Sequence, residues 1–586
     1  MSLFTTLVLS LATAPWASAE TTTSCKAFPG SADWPSTESW ASFNESLGGR
    51  LLQPAPPGAV CHPEQPTFDA AKCEAIAAAW STYDFHIQDP VSVMWDNWSN
   101  GTCLPDAAYV CRPNGYSAYV VNATTAEDVK RGIDFAREYN VRLIVKSTGH
   151  DYVGRSVGSG SLSIWMHNFQ GIEFHEGEFQ PEGSDVTIPG SAVTVGGGTQ
   201  MYDIYRATAK YGQTVVGGGA GTVGAGGYTT GGGHGLLSPR LGLAADNVLQ
   251  MEVVTPQGEI LTLNEAQNTD LFWAMRGGGG STFGVVTSIT VATHPSPAIS
   301  HSTWAILIDP GAPYLPELLA YVLSQFPSLE KAGVSMYCTS QSDPLPNPFP
   351  IEGLPSEIAG IMGNALLQNN NDPDAMQKLW QPINATIQER WPEAVFFQQV
   401  TEFASWLDWF NVFYDTRPVG GNQIFTSRLL DGEALTGDLD ALEEAVRTVL
   451  DRNGRITTFL VSGKGVHEAK PRGGGNAVNP AWRTAYVHAM ATTRFPSANL
   501  TAKAEAIARL DSAADGLRKL APDAGSYLNE GSVYEKDWQR LFWGDNYDRL
   551  LRIKDEVDPE DVFWCTPCVG SEGWEVLDNG RLCRVE

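Results

Sequence analysis

Positive charge is scarce in this chain. Its 586 residues carry 38 Lys and Arg against 66 Asp and Glu, a formal net charge of −28 with a pI near 4.7. Such a surface repels phosphates, so no nucleic acid and no anionic membrane is expected as a partner. Long apolar runs are also missing. The first twenty residues, MSLFTTLVLSLATAPWASAE, hold an apolar run too short to span a bilayer, and no later segment is longer. There is no internal repeat and no low-complexity linker. Neither a carboxylate pair placed for acid/base work nor an exposed aromatic platform stands out. That counts against a glycoside hydrolase or an extracellular binding protein, either of which would be colourless.

What is present fits a globular, exported protein. The composition is 42% hydrophobic and 18% charged, with enough length for two or more cores. The opening run ends in Ala17-Ser18-Ala19, a small-x-small pattern that predicts a signal peptide at 1–19, cleaved after Ala19, although it lacks a leading Lys or Arg. N-x-S/T sequons stand at Asn44, Asn97, Asn100, Asn122, Asn384 and Asn499; Asn97 and Asn100 are too close for both to be readily used. The nine cysteines cluster early (25, 61, 73, 103, 111) and late (565, 568, 583), with Cys338 alone. In an oxidising compartment this predicts disulfides at both ends and at least one free or intermolecular thiol. Cys565-x-x-Cys568 has no second C-x-x-C to complete a metal site, so a structural disulfide is favoured and no metal is expected.

Residues 20–112 are rich in Pro, Trp and Cys with little periodicity, and read as a loop-rich, disulfide-held extension. From 113 the texture changes. Thr124-Thr125 caps a helix with Val129, Ile133 and Phe135-Ala136 on its apolar face. VRLIVK (141–146) predicts a buried strand, MEVVTPQGEILTLN (251–264) a hairpin turning at Pro256-Gln257-Gly258, and FGVVTSITVATH (283–294) another strand. From 299 glycine thins out. Helical patterns near 315–327, 373–391, 437–452 and 500–520 alternate with strand-like runs such as RITTFLVSG (455–463), which predicts an α+β domain.

The most unusual stretch is VVGGGAGTVGAGGYTTGGGHG (215–235), in which eleven of twenty-one residues are glycine. It spells G-x-G-x-x-G at Gly219, Gly221 and Gly224, and Asp246 follows at about the distance of a ribose-binding acid. A dinucleotide turn needs a helix immediately after its glycines. Here the continuation is Ala225-Gly226-Gly227-Tyr228-Thr229-Thr230-Gly231-Gly232-Gly233, and each interior glycine costs about 1 kcal/mol relative to alanine. That fingerprint is therefore rejected. The segment is also too apolar for a flexible linker. Glycines instead suit backbone that must lie against a large planar or phosphorylated ligand. Gly196–Gly198, Gly277–Gly280 and the Lys146-Ser-Thr-Gly149 turn point the same way.

At KSTGHDYVGRS (146–156) the sequence resembles the flavin pyrophosphate loop of the vanillyl-alcohol oxidase/p-cresol methylhydroxylase flavoproteins, in particular their berberine-bridge-enzyme-like branch. The glycine stretch resembles the second flavin loop of that family. AADNVLQMEVVTPQGEILTLN (244–264), DLFWAMRGGGGSTFGVVTSITV (270–291) and WGDNYDRLLRIKDEVDPEDVF (543–563) follow in the same order; the first hundred residues match poorly. The resemblance implies a two-domain α+β flavoprotein. Its PCMH-type FAD-binding domain would comprise 113–298 and 529–586, and a substrate domain at 299–528 would set an antiparallel sheet backed by helices over the isoalloxazine.

By the same resemblance, His150 is the residue that bonds covalently to the flavin 8α-methyl. Lys146, Ser147, Thr148, Gly149, Asp151 and Ser156 would belong to the pyrophosphate loop. Ala220, Gly221, Thr222, Gly224 and Gly227 would follow the flavin, with Asn247, Val286 and Asn546 at other parts of FAD. Many relatives add a cysteinyl link in the second loop; here Ala220 takes that position and no cysteine lies between 112 and 337, so a single histidyl link is expected. Val223 falls at the oxygen-reactive face and resembles the oxidases. Candidate catalytic residues are His234, Tyr152, Tyr527 and Asn529. His234 and Tyr527 both remain candidates for the base. The implied reaction is hydride transfer from an alcohol carbon to flavin, with O₂ reoxidising it to give H₂O₂. A small or metabolite alcohol leads, from a resemblance to secreted isoamyl-alcohol-oxidase-like proteins. A carbohydrate oxidase and an oxidative cyclase are the alternatives, and a secreted monomer is expected.

Overall fold

The computed structural model describes residues 24–347, 356–370 and 372–585; the signal-peptide expectation lies outside them. Three larger sheets and three two-stranded ones are present among the described residues. The first is four-stranded. Tyr119–Asn122, Leu162–Trp165 and Leu143–Lys146 run parallel, and Leu51–Leu52 adds an antiparallel edge. The helix Ala126–Glu138 covers it, started by the capping box of Thr125 and Asp128. Its Val129 and Ile133 share a core with Val121, Leu143 and Ile164. The second sheet is five-stranded and antiparallel, in the order 260–264, 248–254, 285–292, 192–196, 172–175. The expected hairpin is its edge pair, with Met251 opposite Leu263.

The third sheet has seven antiparallel strands, in the order 395–403, 299–308, 357–368, 334–346, 455–460, 485–495, 422–431. The four expected helices are Leu315–Ser324, Ala375–Arg390, Leu439–Asn453 and Leu500–Leu520. They close a core over one face with Trp304, Met336, Ile361, Ile456 and Leu460. Side chains alternate across a strand, so the intervening residues Tyr337, Thr339, Asn364 and Phe459 are turned away from the helices. No helix among the described residues is long and apolar enough to cross a membrane.

Two local expectations are corrected. The glycine-rich stretch does contain a helix, Ala225–Thr230, directly after Gly224. It lasts six residues, and Gly226 packs flat against the Gly197 backbone, so tertiary contact overrides poor propensity. The preceding strand, Gln213–Thr214, pairs antiparallel with His294–Pro295, so no parallel βαβ unit surrounds the loop. The described part of the N-terminal extension, 24–112, is also more regular than its sequence suggested. It forms helices at Thr37–Ser46, Ala70–Ala79 and Tyr83–Gln88. Ala70–Ala79 buries none of its residues and so shows no apolar stripe to read.

Disulfides join Cys25 to Cys583, Cys61 to Cys73, Cys103 to Cys111 and Cys565 to Cys568; Cys338 is free and buried. The first ties the two ends of the chain across 558 residues. Of the adjacent sequons, Asn100 is exposed whereas Asn97 is buried, its Oδ1 accepting from Gln423 N at 3.0 Å. Beside it Asp96 is buried and accepts from Trp80 Nε1 at 3.2 Å. Burial pushes its carboxyl up to about 7 from 3.8, with the Trp80 bond opposing. The folded state therefore holds a proton that the unfolded state releases across that window, and stability from this group falls as pH rises from about 4 to about 7. Asp96→Asn should leave the apparent Tm unchanged near pH 4 and raise it by about 2–4 °C near pH 8. Thermal melts at both pH values check this; an equal shift at both would sink it.

Candidate active site

A cavity of about 820 Å³ lies between the glycine loops and the helix-free face of the seven-stranded sheet. That is the size of a large ligand site. Its floor is the 147–156 turn, the 218–227 loop and Val285–Val286; Tyr337, Thr339, Met362, Asn364 and Phe459 form its roof.

The floor depends on absent side chains. A β-carbon on Gly224 would lie 2.3 Å from Ser147 Oγ, and Gly224 N donates to Thr148 Oγ1 at 3.2 Å. Glycine lets the two loops cross this closely; a methyl would force the Ser147 side chain aside. Gly149 has φ +80° and turns the chain under the cavity. Gly227 differs: it lies within the short helix, lines the cavity, and a β-carbon there would meet nothing within 4 Å. The protein's own atoms do not demand this glycine, so the space is kept open for a ligand. Ser147 Oγ and Arg155 Nη1 are buried at the same floor without partners, two donors suited to ligand oxygens.

His150 stands at the edge of this cradle. Its Nε2 lies 2.7 Å from Thr222 Oγ1, and its ring stacks on Tyr83 at 5.0 Å between centroids. Burial pushes the imidazole down to about 3, against the opposing pull of Asp415, so it is neutral at physiological pH. Nδ1 has no hydrogen-bond partner among the described residues, and a neutral ring with a free lone pair is a nucleophile.

A polar network lies under the sheet. The Glu530 Oε2 atom is 3.2 Å from His234 Nε2 and 2.9 Å from His488 Nε2. Burial alone would push this carboxyl up, but the two imidazoles outweigh it and hold Glu530 well below the usual carboxylate range. Tyr527 packs edge-on against His234, 5.0 Å between centroids. Its OH accepts from Asn529 Nδ2 at 2.8 Å, and Asn529 Oδ1 accepts from Arg155 Nη2 at 2.8 Å. Arg155 is in turn held by Asp151. Burial and then Glu530 push the Tyr527 phenol above its ordinary range, and burial does the same to Tyr152, which packs between Trp95 and Phe425.

Most of the residues singled out in the sequence line the cavity: Ser147, Thr148, Gly149, His150, Asp151, Tyr152, Ser156, Ala220, Val223, Gly224, Gly227, His234, Val286, Tyr527 and Asn529. Five do not. Lys146 is fully buried and turns its Nζ to the carbonyls of Asp89 and His86, at 2.8 and 3.2 Å, so its charge is spent on backbone. Asn247 holds Leu241 O, Leu243 O and His294; Asn546 holds Val478 O. Gly221 packs on Tyr202, and Thr222 acts through His150. Sequence reasoning missed Glu530, His488, Tyr83, Asp415 and Arg417. Glu530 is adjacent to Asn529 in SYLNEG and was within reach; the others lie far away in sequence, and only folding brings them in. Cys338, the free thiol, also lines the cavity. Its Sγ donates to Thr458 O at 2.9 Å, and burial pushes the thiol up to about 12.

Residues 117–264 match the family model "FAD binding domain", and 526–569 match "Berberine and berberine like". An FAD-linked oxidoreductase of Penicillium expansum is 35% identical over 97% of this chain and 96% of its own length. The crystal structure of a VAO-type flavoprotein from Myceliophthora thermophila covers 96% of this chain and 100% of its own, at 30% identity and TM-score 0.88. A glucooligosaccharide oxidase from Acremonium strictum, described with 6-S-cysteinyl, 8α-N1-histidyl FAD, is similar in fold. It is 19% identical over 78% of this chain and 92% of its own, with TM-score 0.59. The cradle has room for FAD, which gives Gly227 a test. Gly227→Ala has room and suits a helix, so folding should be unharmed, yet its methyl enters the ligand space. Flavin per chain, read from visible absorbance, should fall severalfold at unchanged circular dichroism; full flavin content would show that the opening at Gly227 is not needed.

Proposed function

Because this chain belongs to the VAO-type, berberine-bridge-like FAD-linked oxidoreductases, we propose that it is a secreted oxidase of a small or metabolite alcohol. It would yield an aldehyde or ketone and H₂O₂, with FAD held through a single histidyl link at His150. When bound, FAD supplies the chemistry of accepting the carbinol hydride and passing electrons to O₂. The protein positions the alcohol, takes its proton and keeps the reacting atoms out of water.

The observation that carries this reading is the ionised Glu530 beside His234 and His488, in a cavity floored by the FAD loops. Both imidazoles engage Oε2; Oε1 has no hydrogen-bond partner among the described residues and is the oxygen offered to a substrate hydroxyl. The proton then belongs to the cluster as a whole, shared between the carboxylate and the two imidazoles. Tyr527 is a poorer base, because burial and Glu530 both favour its neutral phenol. It and Asn529 instead orient the substrate. The three ligand atoms of the cluster lie within 4.8 Å of one another, close enough for a metal ion. Neither His234 Nδ1 nor His488 Nδ1 has the outer partner that orients a metal-bound imidazole, so the cluster is read as a proton network.

The link at His150 is supported by the same kind of detail. If Nε2 carries the proton and donates it to Thr222 Oγ1, the lone pair is left on Nδ1. Ala220 offers no thiol, which supports one link rather than two. The early and late disulfides and the sequons support export. A sugar substrate is the second reading, favoured by the Thr339, Gln341 and Asn364 groups on the roof. Peroxide from oligosaccharides but not from small alcohols would decide for it.

Acid precipitation of purified protein tests the link: the yellow colour should stay in the pellet, and His150→Ala should release it to the supernatant. Thr222→Val should lower the covalent fraction severalfold while Thr222→Ser keeps it. A wild-type supernatant that takes all the colour excludes the covalent reading. For the base, Glu530→Gln should lower kcat by roughly 10²–10³ with the flavin spectrum retained, in line with loss of general base catalysis. Unchanged turnover would remove Glu530 from the mechanism.

A further inference from the structure

The cavity roof is graded along its strands. Register sets Tyr337 opposite Phe459, Thr339 opposite Thr457 and Gln341 opposite Arg455. Successive residues of a strand alternate in direction, so these three pairs share the face away from the helices. Tyr337 and Phe459 touch, 4.3 Å between ring centroids, and Phe459 lies 6.2 Å from His234. The aromatic end of the roof is therefore the end near the proton acceptor. Arg455 is at the other end, four residues along, roughly 13 Å away at the rise of a strand.

Arg455 is exposed yet lines the cavity, together with Arg417. Its side chain has a long contact of 3.5 Å to Thr339 Oγ1 and no carboxylate within ion-pair distance among the described residues. Burial first, and then the cations Arg417 and Arg494, hold its guanidinium below the usual range. Asp415 neutralises Arg417 through contacts of 2.9 and 2.7 Å. Arg494 bonds the neutral Gln423 at 3.0 Å. Three arginines thus share one carboxylate, in a chain with a net charge of −28. Elsewhere the half-buried Arg131 and the exposed Arg390 do find acids. Gathering cations at a cavity wall is unfavourable until an anion arrives, and the planar guanidinium fork matches a carboxylate.

We infer that Arg455, with Arg417 beside it, binds the carboxylate of an elongated hydroxy acid whose alcohol end reaches Glu530, with the apolar segment next to the carbinol under Tyr337 and Phe459. The assignment rests on the oxidase reading, since it names the substrate class of that site. The roof matches such a molecule in order: aromatic side chains over the carbinol end, hydroxyl and amide groups in the middle, a cation at the far end.

The test uses the yellow holoenzyme and ligands that cannot turn over. 4-Methylbenzoate, 4-methylcinnamate and 4′-methylbiphenyl-4-carboxylate are each titrated against their methyl esters, with binding read from the change in flavin absorbance. At least one acid should bind about tenfold or more tightly than its ester, as for a charge-assisted hydrogen bond. The advantage should shrink with added salt, fall below about threefold in Arg455→Gln and survive in part in Arg455→Lys. No acid preference at any length, no binding of any acid, or a preference that Arg455→Gln leaves intact would overturn the assignment. A colourless protein, or one that makes no peroxide from any alcohol, would instead overturn the oxidase reading. Because binding is read without turnover, the two failures are distinct.

Discussion

At Gly224 a β-carbon would come within 2.3 Å of Ser147 Oγ, and at Gly197 within 2.2 Å of Val286 O. Two loops and a strand therefore meet at backbone contact, and the cavity rises from that meeting. At Gly197 no other residue tolerates it, because a methyl would run into the Val286 carbonyl. Once they cross, Thr148 ties the second loop to the first, Thr222 reaches His150, and the glycine helix lays Gly227 open to the cavity. The long roof sheet can then close over a floor with very few side chains. A large flat ligand has room there without a Rossmann fold.

Charge is arranged against that apolar enclosure. Glu530 would cost too much as a buried carboxylate alone; two imidazoles make its ionised form the favourable one. His150 is treated the other way, kept neutral by burial in spite of Asp415. One end of the cavity thus favours a carboxylate and its edge a neutral imidazole. The arginines on the roof form a third region, positive in a strongly negative protein. Long-range repulsion of anions by the surface and local attraction at the wall act together, so an anionic ligand gains only where it can make direct contact.

Legibility followed the range of the cause. The capped helix at 126–138, the hairpin at 248–264 and the four helices behind the roof are fixed by local apolar period, capping and turn chemistry, and each was readable within a few residues of its observed limits. The helix at 70–79 was not, because it buries no face. Propensity over 225–230 pointed away from a helix that a neighbouring backbone imposes. Lys146 shows the same limit for chemistry. Its place in the turn suggested a phosphate ligand, yet its direction is set by the Asp89 and His86 carbonyls of a helix and loop some sixty residues earlier.

The sequence by itself determined the class of the site. Glycine needs no partner to announce that backbone will be approached closely, and the KSTGHDY turn, the glycine stretch and the SYLNEG segment carry much of the cavity lining, His150 included, in their own order. Tertiary structure alone decided which side chains share the cavity. Tyr83, Asp415, Arg417 and Arg455 line it from three separate regions of the chain, His488 reaches Glu530 from a fourth, and their meaning lies in distance and direction. Electrostatic and hydrogen-bond energies depend on separations of a few ångströms that no linear spacing encodes. For that reason, the proton network and the cationic end of the roof emerge only once the sheet is folded over the loops.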